Sequence, residues 1–116
     1  MNGLSETEKK IIGQILHTAS ELGYEMSVWA GEVWASHFGS GLPDTMRAIG
    51  TTDCTMISFR LPGLTPEGKR HKSAGAVFLV HGNDCDVIAD HTDNLAMQTI
   101  LGPATALANQ LSEAHA

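Results

Sequence analysis

The stretch Ser27-Val28-Trp29-Ala30-Gly31-Glu32-Val33-Trp34-Ala35-Ser36, SVWAGEVWAS, holds both tryptophans of the chain on either side of one glycine. Tyr24, Met26, Val28 and Ala30 alternate with Glu25, Ser27 and Trp29, which is the period of a strand rather than a helix. With Gly31-Glu32 as a two-residue loop, the chain returns antiparallel from Val33 to about Phe38. Either short loop the sequence allows, Gly31-Glu32 or Ala30-Gly31, places Trp29 and Trp34 on one face with Glu25, Ser27, Ser36 and Phe38. The other face receives Tyr24, Met26, Val28, Ala30, Val33, Ala35 and His37 and is expected to meet helices. A three-residue loop would reverse that parity.

Outward from the hairpin, Ser5-Glu6-Thr7-Glu8 reads as a capping box, with Ile12, Ile15, Leu16, Ala19 and Leu22 at helical spacing behind it. The first helix is thus expected from about Ser5 to Leu22, stopped by Gly23. Leu42-Pro43-Asp44 opens a short helix through about Ile49. Cys54 to Leu61 forms a third strand with Thr55, Ile57, Phe59 and Leu61 on one face. Pro62 to Lys72 is a polar loop, and Ser73 to His81 a fourth strand. The centre of that strand, Ala76-Val77-Phe78-Leu79-Val80, is apolar on both sides, so both faces are expected to be covered. Val87 to about His91 makes a short fifth strand. Thr92-Asp93-Asn94 caps a last helix, whose stripe is Leu95, Ile100, Leu101, Ala104, Leu107, Ala108 and Leu111, with a kink expected at Pro103. The predicted architecture is one α+β domain over 1–116. It is two-layered, with an antiparallel sheet of four to five strands against the N- and C-terminal helices.

The bulk composition narrows the function classes. Of 116 residues, 42% are hydrophobic and 17% charged, as in ordinary globular proteins. A net charge of −6 argues against a nucleic-acid partner, which selects basic patches. The two cysteines, Cys54 and Cys85, have no framework spacing and read as reduced thiols. No apolar run approaches a membrane span, and MNGLSETEKK lacks the order of a signal peptide, so a cytoplasmic protein is expected. Every Lys and Arg precedes Ser73, whereas the last third holds Asp84, Asp86, Asp90, Asp93 and Glu113. That asymmetry is either ordinary solvation or a dipole that orients a partner.

Chemistry concentrates in His81-Gly82-Asn83-Asp84-Cys85-Asp86-Val87-Ile88-Ala89-Asp90-His91. Zinc accepts His, Cys and Asp, so His81, Cys85, Asp90 and His91 form a candidate ligand set for a metal-binding protein or metal-dependent hydrolase. Against this, Gly-Asn-Asp is common turn chemistry and no paired Cys-x-x-Cys or His-Glu-x-x-His accompanies it. No glycine loop suited to phosphate is present, and no catalytic residue or cofactor is assigned.

The run from Val80 to Asn94 resembles a GN-x-x-D-V-I-A/S-D-H/Y-T/S-D-N segment found before the final helix in small proteins of phages and mobile elements. The resemblance implies a phage or mobile-element origin and action by binding a host or phage protein, such as a host defence or regulatory protein that it inhibits. The residues point the same way: two tryptophans on a sheet face form an apolar patch that monomers usually avoid. The expected function is a non-enzymatic protein-binding module using Trp29, Trp34, Phe38, Ser27 and Ser36. Three covers for that face stay open: the chain's own short helix or Pro62–Lys72 loop, a second copy in a homodimer, and a different protein.

Overall fold

Ser5 starts the first helix as its capping box requires. Its Oγ accepts the Glu8 N–H at 3.2 Å, and Glu8 Oε2 accepts the Ser5 N–H at 3.5 Å. Helix α1 then spans Glu6–Glu21 and ends at Gly23, whose φ of 87° turns the chain so that the Tyr24 N–H reaches Ala19 O at 2.9 Å. The computed structural model describes residues 5–30, 34–36, 42–49, 54–82 and 84–114. Beyond α1 these form β1 (Glu25–Trp29), β2 (Trp34–Ser36), α2 (Leu42–Ala48), β3 (Cys54–Arg60), β4 (Gly75–Val80), β5 (Ile88–His91) and α3 (Leu95–Ala114). A short 3-10 turn, Asp84–Asp86, precedes β5.

The strands make one five-stranded antiparallel sheet in the order β2-β1-β3-β4-β5. Alternation divides each strand into an inner and an outer set. Met26 and Val28 of β1, Ile57 and Phe59 of β3, and Val77 and Leu79 of β4 point inward. They pack with Ile11, Ile12, Ile15, Leu16 and Ala19 of α1 and Met97, Ile100, Leu101 and Ala104 of α3. Burying each such Ile, Leu or Phe contributes roughly 1.5–3 kcal/mol. Ala48 and Ile49, at the end of α2, join this same core. All three helices therefore line one side of the sheet, giving the two-layer α+β fold that the periodicities predict.

Several expectations are corrected. The outer side of β4 is not covered: Phe78 is 47% exposed, because the short helix adds to the inner layer instead of forming a second one. The Pro62–Lys72 loop does not cover it either. It is a largely exposed arm closed by a Leu64–Arg70 bridge, and Leu61, at its base, is exposed rather than core. In the last helix the cap is Asn94, whose Oδ1 accepts the Met97 N–H at 2.8 Å. That phase makes Met97 fully buried and leaves Leu95, expected in the buried stripe, 77% exposed. Helix α3 continues through Pro103 to Ala114.

Candidate functional site

The outer face of the sheet is organised by register. Trp34 pairs with Trp29, Trp29 with Met56, Met56 with Phe78, and Phe78 with Asp90. One row thus crosses all five strands as Trp-Trp-Met-Phe-Asp. The two indoles meet edge to face, with centroids 5.2 Å apart and planes at 68°, a favoured arrangement for aromatic quadrupoles. Trp29 and Met56 are half-buried, whereas Trp34 is 43% exposed. Next to this row lies Ser27-Ser58-Ala76, then the ion-paired Glu25 and Arg60 at 3.8 Å.

The tryptophans share a face, on the side away from the helices, as the Gly31-Glu32 loop predicts; that loop itself lies outside the described residues. Ser27 is on the same face but is 2% exposed, and its hydroxyl has no hydrogen-bond partner among the described residues. It offers no contact surface. Ser36 is corrected: a bulge between Val28 and Trp29 pairs it with the inward residue Val28, not with Ser27. Phe38 lies outside the described residues. Met56 and Phe78 were missed as site residues. The signal was present, since the outward parity of β3 and β4 selects both, but only the pairing shows that they continue the tryptophan row.

An expected consequence is spectroscopic. Trp34→Phe should abolish the far-UV exciton couplet of the indole pair while costing only about 0.2–1 kcal/mol in urea unfolding. A couplet that survives would mean that the rings are not packed as described.

The His81–His91 segment divides into two unconnected places. His81 turns inward: its Nε2 lies 2.7 Å from Thr55 Oγ1 and its Nδ1 3.6 Å from Glu8 Oε1. Glu8 Oε1 also accepts the Gly82 N–H at 3.0 Å. The order hydroxyl, imidazole, carboxylate is that of a nucleophile with its base, but Thr55 and Glu8 are both buried and present nothing to a substrate. The cluster ties the first turn of α1 to the end of β4. Cys85, Asp90 and His91 instead line a cavity of about 370 Å3 between β5 and α3, with Asp86, Thr105 and Asn109. The His91 ring is tied to the backbone of the next residue, Nδ1 lying 2.9 Å from Thr92 O. Among the described residues, no group of three His, Cys, Asp or Glu side chains is placed to hold a metal ion. Of the four proposed ligands, His81 is thus separated from Cys85, Asp90 and His91, which share the cavity without forming such a group.

Among the described residues no helix is long and apolar enough to cross a membrane. No protein-family model matches the chain, and no curated protein and no solved structure matches it.

Proposed function

We propose that this chain is a protein-binding module that docks its partner on the outer sheet face, with Trp34, Trp29, Met56 and Phe78 as the anchors. The observation that carries the reading is the exposure of Phe78 in the middle of a sheet, in one row with the tryptophan pair. An aromatic at that position adds little to folding, because it lies outside the core that the helices cover. Aromatic and methionine side chains are the ones enriched at protein interfaces.

The test is photocrosslinking in cells. A benzophenone side chain replacing Phe78 is expected to yield protein adducts well above those from the same probe replacing Glu113, which is exposed on α3. Equal labelling at the two positions would reject the reading. A companion prediction separates binding from folding: Phe78→Ser should change unfolding free energy by less than about 1 kcal/mol, the span of strand preferences, while removing the bound protein.

A further inference from the structure

We infer that the cavity between the 62–72 arm and the place where β1 starts and β3 ends binds a carboxylate carried on a small apolar body. The inference stands apart from the docking reading above, since none of its residues belongs to the tryptophan row. The cavity holds about 270 Å3 and is lined by Glu25, Arg60, Gly63, Leu64 and Arg70. That is close to the lower bound of ligand clefts, roughly 300 Å3, and suits a molecule of a few carbons. The arm is a built hairpin. At its tip the Gly68 N–H donates to Thr65 O at 2.9 Å and the Thr65 N–H to Lys69 O at 2.7 Å, with Pro66 inside the turn and Gly68 at φ 78°. Below the tip Leu64 bridges Arg70 antiparallel, so their side chains stand opposite each other. At the base the Ala74 N–H donates to Phe59 O at 2.7 Å, which returns the arm to the end of β3. These bonds bring Arg70 to the cavity that Arg60, paired with Glu25, also lines.

Charge selects the ligand. Four of the seven Lys and Arg fall between Arg60 and Lys72, in a chain whose net charge is −6. Two guanidinium groups lining one cavity repel each other. Glu25, whose Oε1 lies 3.8 Å from Arg60 Nε, offsets one of them. Arg70 forms no ion pair among the described residues, so its charge is left for a ligand. A guanidinium matches a carboxylate through two parallel N–H bonds. A single surplus positive charge favours a monoanion, because a second negative charge would face Glu25. Leu64, an exposed side chain on the same cavity, gives the apolar body a wall. Such a carboxylate has two sources, a free acid and the C-terminus of a peptide.

The probe is hexanoate, titrated into the isotope-labelled full chain at fixed ionic strength and followed by NMR. The backbone amides of Gly63 and Leu64 and the Arg70 Nε–H signal are expected to shift together. They should saturate in roughly the millimolar range, as befits a small ligand held by one good ion pair. Hexanamide, the neutral analogue, should leave them unmoved. Arg70→Gln should weaken hexanoate binding about tenfold or more, the loss of a charge-assisted bond, with the far-UV spectrum unchanged. Sulfate, a dianion without an apolar body, should bind more weakly than hexanoate, and Glu25→Gln should narrow that gap. Shifts that do not saturate, that hexanamide reproduces, or that survive Arg70→Gln overturn the inference. Sulfate binding as tightly as hexanoate overturns the choice of a monoanion with an apolar body. An acetylated tripeptide ending in leucine separates the sources. Tighter binding than hexanoate, lost when its C-terminus is amidated, assigns the carboxylate to a chain end, and equal or weaker binding assigns it to a free acid.

Discussion

Glu8→Ala is expected to lower the unfolding free energy by about 3 kcal/mol, far more than an exposed first-turn glutamate would cost. Two losses combine. Half of the capping box disappears, worth at most about 1 kcal/mol, since the Ser5 N–H loses its carboxylate while the Ser5 Oγ keeps the backbone N–H of residue 8. The bond from the Gly82 N–H to the Glu8 carboxylate is also lost, and a hydrogen bond to such a group contributes about 1.5–3 kcal/mol. The His81 ring also loses the carboxylate 3.6 Å from its Nδ1. Glu8→Gln is the discriminating control: glutamine keeps an acceptor for Gly82 and is compatible with a capping box, so it should cost no more than about half as much. Urea unfolding of the two variants checks both figures. A loss below about 1 kcal/mol for Glu8→Ala would mean that the carboxylate does no more than cap a helix. Because this cluster lies on the inner side, opposite the tryptophan row, both variants should leave photocrosslinking from position 78 intact at temperatures where they remain folded.

Glu8 also shows where sequence reading ends. The pattern Ser5-Glu6-Thr7-Glu8 reveals its local role, since a capping box spans three residues. Its second role joins it to a residue 74 positions away, and no local period reports such a contact. The same division runs through the fold. Alternation around Val28, Ile57 and Val77 identifies the inner face because one side of each strand is buried against helices. Ser36 escaped because a bulge adds a residue to one strand, and parity counting has no means of seeing it. Leu95 was misplaced because the cap position sets the phase of the helix, and of the three cap candidates it is Asn94, the last, that fills it. Thr92 serves the sheet instead, its Oγ1 accepting the Ala76 N–H at 3.1 Å. For the site, the pair Trp29 and Trp34 was legible from one hairpin. Its continuation through Met56 and Phe78 depends on which strands are neighbours, which is a tertiary fact. The histidine-rich segment failed as a metal site for a related reason: residues adjacent in sequence are sent to opposite ends of a turn, one ring into the interior and the others to a surface cavity.

Gly75→Ala is expected to be as damaging as Glu8→Ala, at about 3 kcal/mol, through a steric mechanism. Gly75 has φ of 151°, which side chains avoid, and a Cβ there would lie 2.6 Å from Met97 Cγ, 2.8 Å from its Sδ and 3.1 Å from Thr92 Cβ. Strain of this kind and overpacking each cost about 1–3 kcal/mol. Methionine is usually the side chain that gives way, but Met97 is fully buried in the core and sits one turn after the Asn94 cap. Asn94 Nδ2 in turn donates to Ala74 O at 2.8 Å, so the start of β4 and the start of α3 are fixed to each other. A double-mutant cycle isolates the clash. Met97→Ala alone should cost about 3 kcal/mol as a cavity, and Gly75→Ala added to it should cost at least about 1 kcal/mol less than in the native background, because the new methyl enters the vacated space. Strict additivity would show that the approach of Met97 does not matter. The position has a bearing on the docking face as well. Gly75 pairs with Phe59 on the inward side, and that register is what sends Ala76 and Phe78 outward. A one-residue slip of β4 would turn Phe78 into the core and Val77 into solvent. The close fit of Gly75 under Met97 therefore holds in place the strand that presents the row's exposed phenylalanine, and a Gly75→Ala protein should lose photocrosslinking from position 78 at a lower temperature than it loses helix.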